Sequence, residues 1–272
     1  MSMRSVAAEA HQEVTHRASQ LRSWRFQIGL SLAMLVAAGL AWLARTVRYF
    51  PIDLEITWAL QSVEAPAVQQ FFHGVSWIGY PPQSNYIFGS MIVGFLLLRL
   101  WREAVTLFFA AAGSAGLWFL LSPLINRPRP SSELVRVAME LPTGGFPSGH
   151  VLNLTAIFGF LVYLAIVLLS DVRWRALLAS LLAVPVLFIG AARVYDGAHW
   201  ASDVLGGYLI GGIWLTLTIL LYRWIGERIE ARHRAQSGQH GDAKSSASGG
   251  YNADHHGTDQ HGDLPRPGNT PA

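Results

Sequence analysis

Four ionisable residues lie close together in the stretch ARVYDGAHWASDVLGG, residues 192–207, between two long apolar runs. These residues are Arg193, Asp196, His199 and Asp203. If the chain is helical from about Ala198, His199 and Asp203 lie on one helix face, so the carboxylate can accept an imidazole N–H and fix the tautomer. The other ring nitrogen is then available as a nucleophile. The spacing therefore predicts a nucleophilic histidine with an orienting acid.

A second histidine ends the stretch GGFPSGH, which leads directly into an apolar run. Pro147 interrupts any earlier helix, Ser148 can cap the next one, and Gly149 lets a ligand approach the backbone closely. Free backbone N–H groups and the positive helix end then form an anion site. His150 stands in the first turn of that helix, where it can serve as a proton donor.

Two arginines stand beside prolines in LINRPRPSSELVR. The prolines keep the chain extended and fix the direction of Arg127 and Arg129, whose guanidinium groups match phosphate oxygens. By themselves these arginines could instead contact lipid headgroups. Together with Arg193 and the two histidines they describe phosphoryl transfer through a phosphohistidine. Zinc ligation by the histidines and the acid is the alternative, but a cluster of arginines suits a phosphate better than a cation. We therefore expect no metal and no cofactor.

The composition places these residues in a membrane protein. Of the 272 residues, 51% are hydrophobic and 14% are charged, and cysteine is absent. A membrane-spanning helix needs about 20 apolar residues. Six uncharged runs approach or reach this length, at about 26–44, 85–98, 104–125, 151–170, 176–192 and 204–222. The sequence predicts an all-α integral membrane protein with six transmembrane helices in one bundle, and no nucleic-acid partner.

The distribution of arginine sets the orientation of the six spans. With a cytoplasmic N-terminus, every inner segment carries a basic pair or more, as the positive-inside rule requires. These arginines are Arg22, Arg25, Arg99, Arg102, Arg173, Arg175, Arg223, Arg228, Arg232 and Arg234. Arg45 and Arg48 count against this orientation, but acidic residues of the same segment offset them. The stretches with His150 and His199 then face the periplasmic or extracellular side of an inner or plasma membrane.

The segments outside the spans complete the predicted organisation. Residues 45–84 mix apolar and acidic side chains, which indicates interfacial helices in the first outer loop. The tail is rich in Gly, Ser, His and Asp without periodicity, so it is expected to be mostly disordered. The predicted domains are a cytoplasmic segment at 1–25, a six-helix phosphatase domain at 26–225 and a cytoplasmic tail at 226–272.

Three motifs, R-P-R-P, P-S-G-H and R-x5-H-x3-D, stand in this order at the outer ends of spans. They resemble the signature motifs of the type 2 phosphatidic acid phosphatase superfamily, which includes lipid phosphatases and undecaprenyl pyrophosphate phosphatases. The resemblance covers about residues 26–225. It implies a phosphate held by four residues, namely Arg129, Ser148, Gly149 and Arg193. It also implies that His150 protonates the leaving group, that His199 attacks phosphorus and that Asp203 supports His199.

Two positions depart from the family pattern. The first motif usually has a lysine seven residues before Arg-Pro, and here that position holds Ser122 or Leu120, while Lys244 in the tail is the only lysine. Arg127 is the natural substitute for the missing cation, so we count it among the phosphate-binding residues. The third motif usually begins with Ser-Arg, and here Ala192 replaces the serine.

The expected function is the removal of phosphate from a lipid phosphate or diphosphate at the outer membrane face. A weak or inactive relative that binds phospholipid, and a lipid phosphotransferase, are the alternatives. A transporter is disfavoured because the spans are uncharged and the polar groups gather at their outer ends. The partners implied are a lipid substrate and the bilayer. The identity of the lipid and the oligomeric state stay open, since Gly207 and Gly211 could pack helices within one chain or between two.

Overall fold

The computed structural model describes residues 3–142 and 144–249, with side chains described for 24–142, 144–232 and 234. Within this part the chain forms eight helices and no strand. In chain order they are α1 (Met3–Thr46), α2 (Pro51–Gln61), α3 (Pro66–Trp77), α4 (Gln83–Leu97), α5 (Trp101–Ile125), α6 (Gly149–Leu168), α7 (Val172–Tyr195) and α8 (Ala201–Gly249). The predicted all-α class is confirmed.

Five helical segments are long and apolar enough to cross a membrane. They are Trp24–Thr46, Trp101–Ile125, Gly149–Leu168, Val172–Tyr195 and Ala201–Arg232. The second predicted span corresponds to α4, which has 15 residues. At 1.5 Å per residue this helix is about 22 Å long, less than the roughly 30 Å of a hydrocarbon core. The structure thus supports a multi-pass membrane protein with five clear spans, and it leaves the sixth span a prediction.

Two short helices occupy the first loop after α1. Each of α2 and α3 starts with a proline in its first turn, where the missing N–H costs no helical hydrogen bond. The amide of Gln61, the last residue of α2, donates to the carbonyl oxygens of Arg136 at 2.7 Å and Tyr195 at 2.9 Å. The loop is therefore fixed against the C-terminal end of α7.

The core is centred on α6, whose apolar side chains are buried on several faces, including Val151, Leu154 and Ile157. Gly207 and Gly211 of α8 lie against this helix. A Cβ at Gly207 would stand 2.9 Å from the Ser148 carbonyl oxygen, and a Cβ at Gly211 would stand 2.9 Å from that of Leu152. The small-residue pair therefore packs α8 against α6 within one chain.

The chain forms two compact units, one that ends at Arg223 and another that begins at Trp224. In the second unit, Arg234 forms an exposed ion pair with Glu230 at 3.2 Å. The backbone of α8 is helical to Gly249, and the rest of the predicted disordered tail, 250–272, lies outside the described residues. The predicted domain boundaries therefore stay predictions.

Candidate active site

One cavity of about 680 Å³ collects most of the residues that the sequence singled out. It lies where the ends of α5 and α7 and the beginnings of α4, α6 and α8 meet. Its lining includes Arg129, Gly149, His150, Arg193 and His199. Residues far apart in the chain are in contact here, such as Arg129 and His199, which are 70 positions apart, and Tyr80 and Arg193, which are 113 apart. The three motifs therefore form a single site.

The hydrogen bonds of His199 define its tautomer. Its Nδ1 lies 2.8 Å from the Gly145 carbonyl oxygen, and its Nε2 lies 3.0 Å from Nη1 of Arg129. A carbonyl oxygen only accepts and a guanidinium only donates, so the proton resides on Nδ1 and the lone pair on Nε2. Burial, and then the charges of Arg129 and Arg193, lower the pKa of His199 well below its usual value. The side chain is thus a neutral imidazole with a nucleophilic Nε2 at the cavity.

Asp203 does not make the predicted hydrogen bond to His199. Because α8 begins at Ala201, His199 precedes the helix, and its Nδ1 is 3.9 Å from the nearest Asp203 oxygen. Asp203 instead accepts the backbone N–H of Trp200 at 2.9 Å, and its own carbonyl accepts the N–H of Ser148. It holds the loop that carries His199, while Gly145 fixes the imidazole.

Arg127 lies outside the cavity, contrary to its predicted role as a substitute cation. Its guanidinium is fully buried and bonds to Asp203 at 2.5 Å and to Asp53 at 3.1 Å. Further donors reach the Ser202 hydroxyl at 2.7 Å and the Val47 carbonyl at 3.2 Å. Two buried carboxylates compensate its charge, so this arginine connects the first loop to α8 and is not among the residues that line the cavity.

Arg193, at the end of α7, differs from Arg127 in that it lines the cavity. The side chain has no exposed surface, and its Nη1 donates to the Tyr80 hydroxyl at 2.6 Å. Its Nε and Nη2 are buried and have no hydrogen-bond partner within the described part of the chain. Unpaired buried donors are costly unless a ligand binds them. This edge is therefore shaped for an oxyanion.

Arg129 provides the second cation of the cavity. Its guanidinium donates to the Ala198 carbonyl oxygen at 2.7 Å and to the Gly144 carbonyl oxygen at 3.2 Å. Burial, followed by the charge of Arg193, lowers the pKa of Arg129 to about 10. The side chain therefore remains charged at neutral pH, and its contacts place that charge beside Nε2 of His199.

The turn before α6 supplies the other predicted residues. Ser148 is buried and its hydroxyl has no hydrogen-bond partner among the residues described, but it is not part of the cavity lining. A Cβ at Gly149 would stand 2.8 Å from Nε1 of Trp118, so only glycine allows this indole to approach. Nε2 of His150 has no hydrogen-bond partner within the described ranges, and its ring packs edge-on against Tyr80, with ring centroids 4.6 Å apart.

Several functional residues escaped the sequence analysis. Tyr80 contacts both Arg193 and His150, and Trp118 brings to the cavity an indole N–H that has no hydrogen-bond partner in the described part of the chain. The Gly145 carbonyl fixes the nucleophile. A hydroxyl next to two prolines at 81 and 82 was a weak signal for Tyr80. Trp118 is an aromatic residue inside an apolar span, and no sequence signal distinguishes it from a lipid-facing one.

The remaining cavity wall is mostly apolar, with Ser84, Asn85 and Asn153 as its polar residues. It is formed by α4, α5 and α6 and includes Phe88, Ile92, Phe108, Ala111 and Phe119. The cavity thus combines a polar end that carries the motif residues with a mostly apolar part that extends along α4, α5 and α6. Such a lining suits an amphiphile with an anionic headgroup and a hydrocarbon chain.

Comparison with known proteins matches the part of the chain that contains the motifs. The model of the PAP2 superfamily matches residues 103–227, which contain all three. Lipid phosphate phosphatase delta of Arabidopsis thaliana is 29% identical over 205 residues, and the match covers 65% of this chain and 44% of that protein. The chain therefore spans less than half the length of this relative. Phosphatidylglycerophosphatase B of Bacillus subtilis (strain 168) is 24% identical over 164 residues, which cover 58% of this chain and 77% of the relative.

Two crystal structures share the fold. A transmembrane PAP2 type phosphatidylglycerolphosphate phosphatase from Bacillus subtilis superposes with a TM-score of 0.62 at 20% identity, covering 74% of this chain and 96% of the other. LpxE of Aquifex aeolicus superposes with a TM-score of 0.51 at 23% identity, covering 64% and 98%. The family match and the shared fold confirm the resemblance that the motifs gave.

Proposed function

We propose that this chain, whose residues 103–227 match the model of the PAP2 superfamily, is a membrane phosphatase that hydrolyses a lipid phosphate or lipid diphosphate through a phosphohistidine. The observation that carries the proposal is the edge of Arg193 that has no hydrogen-bond partner among the described residues, in the same largely apolar cavity as His199. A phosphate accepts hydrogen bonds from such an edge in pairs.

In the first step, Nε2 of His199 attacks phosphorus and the bond from phosphorus to the lipid oxygen breaks. His150 gives its proton to the departing oxygen. The charge that develops on the phosphoryl oxygens is stabilised by Arg193 and Arg129. Because Nδ1 donates to the Gly145 carbonyl oxygen, the imidazolium that forms on His199 keeps a hydrogen-bond acceptor.

In the second step, water attacks the phosphohistidine and transfers a proton to His150. The N–P bond breaks, inorganic phosphate leaves, and His199 returns to its neutral form. The arginines supply the positive charge throughout, so the reaction proceeds without a metal or a cofactor.

The lipid nature of the substrate is supported by the apolar wall of α4 and α5 and by the relatives, which are a lipid phosphate phosphatase and a phosphatidylglycerophosphatase. Hydrolysis is the reaction of both named relatives. Ser122 stands where the family pattern has a lysine, and its hydroxyl donates to the Gly144 carbonyl oxygen. It adds no cation to the site, which is the reason to test the alternative of a weak relative that binds phospholipid.

A sixth, short span is supported by the direction of the helices. Arg45 at the end of α1 donates to the Leu124 carbonyl oxygen at 2.7 Å, so α1 and α5 end on the same side. Tyr80, just before α4, contacts Arg193 on that side. The chain must therefore return along α4 before α5 begins, and a helix of about 22 Å can do so where the bilayer thins locally.

The arginine distribution supports a site on the outer face of an inner or plasma membrane. The chain has no native cysteine, so Ser132→Cys and Ser170→Cys place single thiols at exposed positions near opposite ends of the bundle. In intact cells, an impermeant thiol reagent should label the first and spare the second. The reverse pattern would invert the orientation.

The proposed reaction is tested with purified protein and a panel of lipid mono- and diphosphates, scoring released inorganic phosphate. Rapid quenching should trap labelled phosphate on the wild type and none on His199→Ala. A fully active His199→Ala protein would refute the mechanism. If the wild type binds these lipids and releases no phosphate from any of them, the binding-only alternative replaces hydrolysis, and phosphate recovered on an added acceptor lipid would indicate a phosphotransferase.

A further inference from the structure

Asp196 belongs to the cluster of ionisable residues around His199 but has no part in the proposed reaction. It directly follows α7, and its Oδ2 accepts hydrogen bonds from Nη1 of Arg193 at 3.3 Å and from the Ser76 hydroxyl at 2.9 Å. The Asp196 side chain is 17% exposed and also lines a second cavity of about 710 Å³. A carboxylate therefore stands directly behind the arginine that faces the first cavity.

The two sides of the Arg193 guanidinium have different partners. Nη1 is held by the Tyr80 hydroxyl and by Asp196. Nε and Nη2, which form the edge that grips an oxyanion side-on, are buried without a hydrogen-bond partner in the described residues. Two contacts on Nη1 prevent the planar group from turning this edge away from the cavity.

We propose that Asp196 is a positioning residue for Arg193 that also limits how tightly the site holds phosphate; this inference rests on the proposed function. Asp196 Oδ2 accepts hydrogen bonds from both Arg193 and Ser76 of α3, and this contact orients the Nε and Nη2 edge toward the cavity. Its negative charge repels the bound phosphate across the guanidinium, which favours release of the product. The two effects have opposite signs, so different substitutions separate them.

Asp196→Asn keeps an oxygen that accepts from Arg193 and Ser76 but removes the charge. Inorganic phosphate should then bind roughly tenfold more tightly, as expected for one charge removed at close range in a partly buried site. Asp196→Ala removes the hydrogen bond as well. The guanidinium of Arg193 then loses the acceptor that orients it, and phosphate should bind roughly tenfold more weakly.

The experiment measures the Kd of inorganic phosphate, and separately its Ki against lipid phosphate hydrolysis, for the purified full chain. Glu133→Gln, which removes the same charge from an exposed position of the outer segment, is the matched control and should change neither value. Opposite shifts for the Asn and Ala variants support the inference. If the wild type is functional and the two variants shift the Kd of phosphate in the same direction, or do not shift it, this inference is overturned and the proposed function stands. A wild type that neither binds phosphate nor hydrolyses lipid phosphates overturns the proposed function and this inference together.

Discussion

The buried arginine Arg127 offers the sharpest test of how the site is built. Its charge is balanced by Asp53 and Asp203, and all three side chains are inaccessible to solvent. Arg127→Ala leaves two buried carboxylates without their cation, and removal of one partner from a buried ion pair costs about 3–5 kcal/mol. In a domain of about 150–250 residues, Tm falls by about 2–4 °C per kcal/mol. The variant should therefore melt roughly 6–20 °C below the wild type.

Thermal unfolding of the purified protein in detergent measures this shift. Arg136→Ala is the control, since Arg136 is an exposed arginine whose contact is the Tyr195 ring, 5.1 Å from its guanidinium carbon to the ring centroid. An exposed cation–π contact contributes about 0.5–1 kcal/mol, so this Tm should change little. Adding Asp53→Asn to Arg127→Ala should recover part of the loss, because one of the two uncompensated charges is removed.

The competing hypothesis makes a different prediction for the same variant. If Arg127 replaced the missing lysine at the phosphate, Arg127→Ala would weaken phosphate binding without a loss of stability, and Ser122→Lys would restore binding. An Arg127→Ala protein that melts like the wild type and is rescued in this way would refute the structural role assigned here.

Three further predictions concern catalysis and packing. The pKa of His199 is lowered, so its imidazole stays neutral as the pH falls through 6.5. The acidic limb of the kcat/KM profile that reports this group should therefore lie below pH 6.5. A limb at or above that value would contradict the assigned environment. Hydrolysis should persist in EDTA and be inhibited by vanadate, whose trigonal bipyramidal adduct resembles the phosphoryl transition state, whereas activity lost in EDTA and restored by zinc would indicate a metal enzyme. Gly211→Ala should lower Tm because its Cβ would meet the Leu152 carbonyl oxygen at 2.9 Å, whereas Gly212→Ala, with open space around its Cβ, should be neutral or stabilising; equal effects would refute the close packing of α8 on α6.

The sequence was sufficient to predict the elements that follow from composition and motif order. Long uncharged runs predicted the five clear spans because burial in a bilayer demands both length and apolarity. The order of the motifs at span ends predicted that His150, His199, Arg129 and Arg193 would meet. These predictions depend on the length and apolarity of the runs and on the order of the motifs, which are properties of the sequence itself.

What the sequence did not reveal depends on the partners of each side chain. Arg127 and Arg129 stand in identical Arg-Pro contexts, yet one is neutralised by Asp53 from a distant loop and the other lines the cavity. The relation between His199 and Asp203 was mispredicted because it assumed a helix from Ala198, and α8 begins three residues later. Helix boundaries of this kind are set by capping contacts, here Asp203 with the Trp200 N–H, which only the fold brings together.

The hydrogen bond from Arg129 to Nε2 of His199 has a consequence for the idle protein. At 3.0 Å the guanidinium covers the lone pair that would otherwise attack an electrophile or take up a proton. An anion bound to Arg129 would compete for this hydrogen bond and make the lone pair of Nε2 available. In the proposed reaction, phosphate binding and release of the His199 lone pair are therefore coupled through Arg129, and a neutral molecule in the cavity would leave this hydrogen bond in place.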